Sequence, residues 1–361
     1  MGSERGIRSE RDGMHGPFFA TRPTSGFPPP PSPQSCAMTS PADIARLTEP
    51  TQCASRVLMV RPGSFGRNDA AAETNAFMRP PLREPDALAD AARAEFDGLA
   101  QALIDAGVEV IVDDEPDLPD SVFPNNWMTF HQPADTDPVL ITYPMATPAR
   151  RLERRESVIR LVGSLADGPV RRISLEHLEQ QGEHLEGTGS LVIDRVAGVA
   201  FACISPRTTP GALDAWERAT GIRVVRFDAS DADGVPIYHT NVIMSMGRRL
   251  VWLVADTVRD AAQLAEVRRE VEILNKRVLD LEMRQMSAMC ANVLELATPA
   301  GEPVIAMSTS AWNAYTPAQQ ALLESEARIV HAPIPTIERV GGGSVRCMIA
   351  ELGRSRSPKT H

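Results

Sequence analysis

Asn292-Val293-Leu294-Glu295-Leu296-Ala297, a turn over residues 298–303, then Val304-Ile305-Ala306-Met307-Ser308: this stretch decides the fold. A polar residue opens a short, mostly apolar strand, a Pro- and Gly-containing turn reverses the chain, and a second strand follows. Thr316-Pro317 then starts a helix through Glu326, with threonine as N-cap and proline as first helical residue. A third strand covers residues 329–332.

The same order recurs on both sides of this stretch. Apolar strands also open at Asn126, Ser190, Asn241 and Arg346, so that the five starts lie 64, 51, 51 and 54 residues apart. After Ser190 come strands over 191–196 and 199–204, a helix over 211–220 and a strand over 223–227. After Asn241 come strands over 242–246 and 250–255, a helix over 257–275 and a strand over 277–281. The unit at Asn126 is looser, with its helix over 148–165. The unit that starts at Arg346-Cys347 runs out of chain, and its missing parts stand at the other end: a strand over 56–61, an amphipathic helix over 86–106 stopped by Gly107, and a strand over 108–113. An open α/β sheet would not explain why the two ends complement each other. The expectation is an α/β propeller of five ββαβ units with pseudo-fivefold symmetry, in a single catalytic domain over 51–353.

Composition sets the outer limits. The chain has 361 residues, 43% of them hydrophobic and 23% charged, with a net charge of -10. That balance argues against nucleic acid and anionic membrane as partners. No apolar run is long enough to span a bilayer. The five cysteines are widely spaced and form no CxxC pair, which argues against a disulfide framework or a structural metal. His177 and His184 are seven apart, two helical turns rather than ligand spacing. Residues 1–50, rich in Pro, Gly, Ser and Arg and without the apolar core of a signal peptide, are expected to be a disordered extension. Met38 is a candidate alternative start, and residues 354–361 are expected to be a flexible tail. The expected location is the cytoplasm. The expected partner is a small amino acid, with a homodimer left open.

In a ring of such units the strand beginnings converge on one mouth. The polar residues there are Asp120, Asn125 and Asn126, then Glu186, then His239 and Asn241, then Asn292, and last Arg346 with Cys347. A thiol, an imidazole and a carboxylate are the parts needed for covalent catalysis at a planar carbon. A lone cysteine is commonly a small buried apolar residue, and it is the joint placement at equivalent points of a repeat that argues for chemistry. Cys347, after Gly341-Gly342-Gly343, is the expected nucleophile, with Arg346 and a protonated His239 favouring its thiolate. His239 is the expected acid and base, and Glu186 its orienting carboxylate.

The stretches Asp120-Ser121-Val122-Phe123-Pro124-Asn125-Asn126-Trp127, Glu186-Gly187-Thr188-Gly189-Ser190, His239-Thr240-Asn241 and Gly342-Gly343-Ser344-Val345-Arg346-Cys347-Met348 resemble the guanidino-group-modifying enzymes of the pentein fold. These include arginine deiminases, dimethylarginine hydrolases and amidinotransferases, and the nearest likeness is to citrulline-utilisation hydrolases of the CtlX type. The resemblance implies Cys347, His239 and Glu186 as catalytic residues and no cofactor or metal. Two positions depart from the wider superfamily: Asn125-Asn126 replace a Glu-Asp pair, and Asn241 replaces an aspartate. Carboxylates there would hold a cationic guanidinium, whereas amides both donate and accept and suit a neutral ureido group. The expected reaction is hydrolysis of citrulline to ornithine, ammonia and carbon dioxide. Arginine deimination, dimethylarginine hydrolysis and amidino transfer are the alternatives. Asp120, Asn125, Asn126 and Asn241 are expected to bind substrate, and Arg346 or Arg61 its α-carboxylate. A non-catalytic pentein is disfavoured by the presence of all three catalytic residue types.

Overall fold

The computed structural model describes residues 46–115, 118–166 and 168–354. Its fifteen strands run in chain order Arg56–Pro62 (β1), Glu109–Glu115 (β2), Met128–His131 (β3), Val139–Thr142 (β4), Arg171–Ser174 (β5), Val192–Asp194 (β6), Val199–Cys203 (β7), Arg223–Phe227 (β8), Met244–Met246 (β9), Leu250–Leu253 (β10), Arg277–Asp280 (β11), Leu294–Ala297 (β12), Pro303–Ser308 (β13), Arg328–Ala332 (β14) and Ala350–Glu351 (β15). They form five three-stranded sheets: β3-β4-β5, β6-β7-β8, β9-β10-β11, β12-β13-β14 and β15-β1-β2.

Each sheet pairs two strands antiparallel and adds a third parallel to the middle one, as in Leu294↔Ala306 and Ile305↔Ile329. A parallel neighbour cannot be reached by a hairpin and needs a crossover. Helices Pro85–Asp105, Glu156–Leu165, Pro210–Thr220, Ala261–Ile273 and Pro317–Glu326 supply the five crossovers. The last is fixed at its start by a capping box between Thr316 and Gln319. The fifth sheet joins the first and last strands, with Val57↔Glu351 and Leu58↔Ala350 in register. Neighbouring units meet at β15 and β3, at β6 and β9, and at β9 and β12. The turn Pro124–Asn126 meets Gly187–Ser190, and helix Pro85–Asp105 meets β14, so that contacts run through all five sheets.

Burial follows the periodicity. Leu88, Ala92, Phe96, Leu99 and Leu103 bury one stripe of the first crossover helix against Val57, Leu296 and Val330. Each such large side chain contributes about 1.5–3 kcal/mol. Among the described residues no helix is long and apolar enough to cross a membrane.

Two expectations need correction. The extension was expected to reach residue 50, but Leu47 and Glu49 are buried. Leu47 packs beside Val139 and Trp216, and its N–H donates to the Thr220 carbonyl at 2.9 Å. Glu49 pairs with Arg195. The Pro- and Ser-rich composition before this point hid a short apolar and charged anchor. The rest of the extension and the tail from 355 lie outside the described residues. The polar site residues, expected at strand beginnings, stand one step earlier, on single helical turns such as Pro124–Asn126, Gly187–Ser190 and Thr240–Val242. Cys347 likewise sits in a turn before β15. A strand would send Asn125 and Asn126 to opposite faces, whereas the turn buries both.

Candidate active site

Glu186 is fully buried, just before the turn Gly187–Ser190. Its Oε1 accepts from the Ala146 N–H at 3.1 Å, and its Oε2 lies 2.9 Å from His239 Nε2 and 3.4 Å from Arg207 Nη1. Burial alone would raise its pKa. Arg207, the His239 hydrogen bond and Arg150 at 3.9 Å outweigh that and hold the carboxylate well below its usual range. An ionised carboxylate cannot donate, so His239 carries its proton on Nε2 and keeps Nδ1 as a free lone pair. Burial pushes the His239 pKa down to about 4 despite Glu186. Near neutral pH the imidazole is therefore uncharged, not the expected imidazolium.

Cys347 is brought in by the glycines before it. Gly342 has φ +64, and a Cβ there would lie 2.7 Å from Asn75 Nδ2 and from Met78 Cγ. A Cβ on Gly341 would lie 2.7 Å from the Phe123 ring. Sγ of Cys347 receives Nδ2 of Asn292 at 3.3 Å and Nδ2 of Asn241 at 3.5 Å.

Cys347, His239, Asp120, Asn126, Arg150, Arg207, Asn75 and Tyr238 line one cavity of about 20 Å³. That holds about one water and is too small for an amino acid, so lining residues must shift before one can enter. Asp120 accepts from Asn68 Nδ2 at 2.9 Å, and burial raises its pKa. Asn126 Oδ1 and Asn125 Oδ1 are buried without a hydrogen-bond partner among the described residues. Asn125 reaches Thr188 Oγ1 at 3.3 Å with its Nδ2.

Two expected carboxylate ligands are elsewhere. Arg346 points away from the cavity, donating to Glu351 at 2.8 Å and to the Ile349 carbonyl at 3.2 Å, and it lines a separate polar pocket with Gln52, Arg195 and Glu295. The turn sends it and Cys347 in different directions, and buried Glu351 claims its charge. Arg61, near the end of β1, forms a two-point pair with Asp97 of the crossover helix at 2.7 Å. The buried cations of the cavity are Arg150 and Arg207, neither foreseen. Arg150 makes a two-point pair with Glu153 at 2.8 Å. Arg207 donates to Thr74 Oγ1 at 2.9 Å and the Ala71 carbonyl at 2.6 Å, and lies 5.1 Å from the Tyr238 ring centre. Arg150 stands in an arginine-rich run and Arg207 between a strand and a helix, and neither position carries a local signal.

The family described as eukaryotic N,N dimethylarginine dimethylhydrolase matches residues 61–354. No curated protein matches the chain. Among solved structures, the substrate-bound N-terminal domain of ArgZ, an arginine dihydrolase from the ornithine-ammonia cycle in Cyanobacteria, aligns with TM-score 0.64 and 14% identity over 83% of this chain and 98% of that one. Unliganded AgrE aligns with TM-score 0.62 and 15% identity over 84% of this chain and 40% of that one. A dimethylarginine dimethylaminohydrolase variant in an adduct with S-methyl-L-thiocitrulline aligns with TM-score 0.55 and 14% identity over 82% and 99%. This chain spans 42% of full-length ArgZ. At such identities the structural likeness carries the fold, the pentein arrangement of five small sheets.

Proposed function

Since the chain belongs to the N,N-dimethylarginine dimethylhydrolase family, and is thereby a hydrolase of C–N bonds in arginine-related compounds, we propose that its own substrate is citrulline and that Cys347 attacks the ureido carbon. The observation that carries the reading is the cavity itself. Cys347 and His239 line it together with Asn126, whose amide oxygen is buried without a partner, and with two guanidinium groups. An unsatisfied buried acceptor costs about 1–3 kcal/mol, which a ureido N–H would recover. Arg150 and Arg207 suit the α-carboxylate. The nearer likeness to citrulline-utilisation hydrolases is part of this proposal.

In the proposed mechanism His239 Nδ1 takes the thiol proton as the Cys347 Sγ–C bond forms. The C–N bond to the terminal amino group breaks, and His239 returns the proton to ammonia as it leaves. Glu186 supports the transient imidazolium. A water, deprotonated by His239, then cleaves the S–C bond of the thiocarbamate. The resulting carbamate loses carbon dioxide, leaving ornithine, so that one citrulline and one water become ornithine, ammonia and carbon dioxide.

Purified protein incubated separately with citrulline, arginine and dimethylarginine should release ornithine from citrulline. Cys347→Ala should lower that rate about 10³-fold or more. Turnover of arginine or dimethylarginine with citrulline untouched would overturn the citrulline reading. Full activity in Cys347→Ala would overturn the nucleophile. Product analysis with an added acceptor amine separates hydrolysis from group transfer.

A further inference from the structure

Asn292 lies in the turn between helix Met283–Ser287 and β12, and its side chain is fully buried. One amide nitrogen serves two acceptors, the Asn241 backbone carbonyl at 3.0 Å and Cys347 Sγ at 3.3 Å. The orientation is fixed by chemistry. Turned over, the amide would set its oxygen against the Asn241 carbonyl, acceptor to acceptor, so the nitrogen must stand where it does. Asn241 is fixed in the same way, because its Nδ2 donates to the Thr188 carbonyl at 3.1 Å and also lies 3.5 Å from the sulfur, the nearer of two contacts, since its Oδ1 accepts from the thiol at 3.8 Å. Two amides anchored to backbone carbonyls of neighbouring units therefore aim N–H groups at one sulfur atom.

The two groups expected from the sequence to favour a thiolate at that sulfur are otherwise engaged. Arg346 is bound to Glu351, and His239 gives its Nε2 hydrogen to Glu186. A sulfur that becomes anionic in a buried site needs donors in place of water. We propose that Asn292 is a further catalytic residue, one of a pair of neutral amide donors, with Asn241, that solvate the Cys347 thiolate. The inference rests on Cys347 being the nucleophile, but not on which substrate it attacks.

The test reads the thiol directly. Alkylation of Cys347 by iodoacetamide, followed by peptide mass spectrometry across a pH series, reports the thiolate without any substrate. In Asn292→Ala the rate at neutral pH should fall about tenfold, with the midpoint of the pH profile raised by about one unit. Asn292→Asp separates this role from a structural one. Buried and protonated, that carboxyl has a single hydrogen, which can hold the Asn241 carbonyl while the sulfur loses its donor. It should keep the thermal stability of the wild type and still show the raised midpoint, and if the alanine variant does not fold, the aspartate variant carries the test alone. A wild-type alkylation profile in a folded Asn292 variant overturns the proposal. Loss of citrulline hydrolysis in Asn292 variants without a moved profile also counts against it. A citrulline-inactive wild type with a moved profile overturns the substrate reading and leaves this one standing.

Discussion

Arg346 stands next to the proposed nucleophile Cys347 in sequence, and Arg150 stands 197 residues away from it, yet it is Arg150 that lines the cavity. Adjacent residues of a turn point apart, and no local signal says which of several arginines will be buried where distant units meet. These placements separate binding from stability. Arg346→Ala removes a partner of buried Glu351, which keeps Arg195 at 3.3 Å. With Glu351 still compensated, it should destabilise the fold by less than the ~3–5 kcal/mol of a buried charge left unpaired, while the KM for citrulline stays as in the wild type. Arg61→Ala breaks a partly exposed pair and should cost less than about 1 kcal/mol. Arg207→Lys keeps a charge but loses the planar fork that reaches Thr74, Ala71 and Glu186 together. Its KM should rise about tenfold, with kcat also falling because Glu186 and His239 lose a neighbour. Chemical denaturation and steady-state kinetics on the three variants check this division. A raised KM in Arg346→Ala, or an unchanged one in Arg207→Lys, would reverse it.

At the scale of elements, the strands and crossover helices were legible because their apolar residues repeat with the right period and because a proline or a capping side chain opens four of the five helices. The helix opened by Thr316-Pro317 and the strand Arg223–Phe227 lie where pattern and turn residues put them. The turns that carry the chemistry were not legible as turns, because three or four residues are too few to show a period. Gly187-Thr188-Gly189-Ser190 was a motif before it was one helical turn. Its shape is nevertheless what sets the site. A Cβ on Gly189 would lie 2.7 Å from His239 Nδ1 and Cε1 and from Asn126 Oδ1. The imidazole is walled in and cannot yield cheaply. Gly189→Ala should therefore leave the sheets folded, as judged by circular dichroism, and lower kcat about 10²-fold, the cost of displacing a catalytic group by about 1 Å. Activity near wild type would mean that His239 does not work from this position.

At the scale of the whole molecule, buried histidines and buried glutamates should mark different parts of the acid limb of stability. That the first and last strands share a sheet was legible, because the last unit lacked what the segment from residue 56 supplied. That residues 47–49 join the same structure was not, since it rests on Glu49 meeting Arg195 and His131 from distant strands. Burial opposes the charge of Glu49, but Arg195 and His131 prevail and bring its pKa from 4.5 down to about 2. Burial brings His239 from 6.5 down to about 4. The signs follow from proton counts. Between pH 6.5 and 4 the unfolded chain protonates a histidine that the folded protein keeps neutral, so stability falls as pH falls, by up to about 1.4 kcal/mol per pH unit for one such group. His131, also lowered by burial, acts in the same direction. Between pH 4.5 and 2 the unfolded chain protonates a glutamate that the folded protein keeps ionised, and Glu186 adds to this second loss. Thermal melts across pH should show His239→Gln with a shallower decline from pH 6.5 to 4 and Glu49→Gln with a shallower decline below 4.5. Parallel profiles for the two variants and the wild type would mean that neither group keeps its buried state in the folded protein, and with it would fall the neutral His239 on which the proposed proton transfers depend.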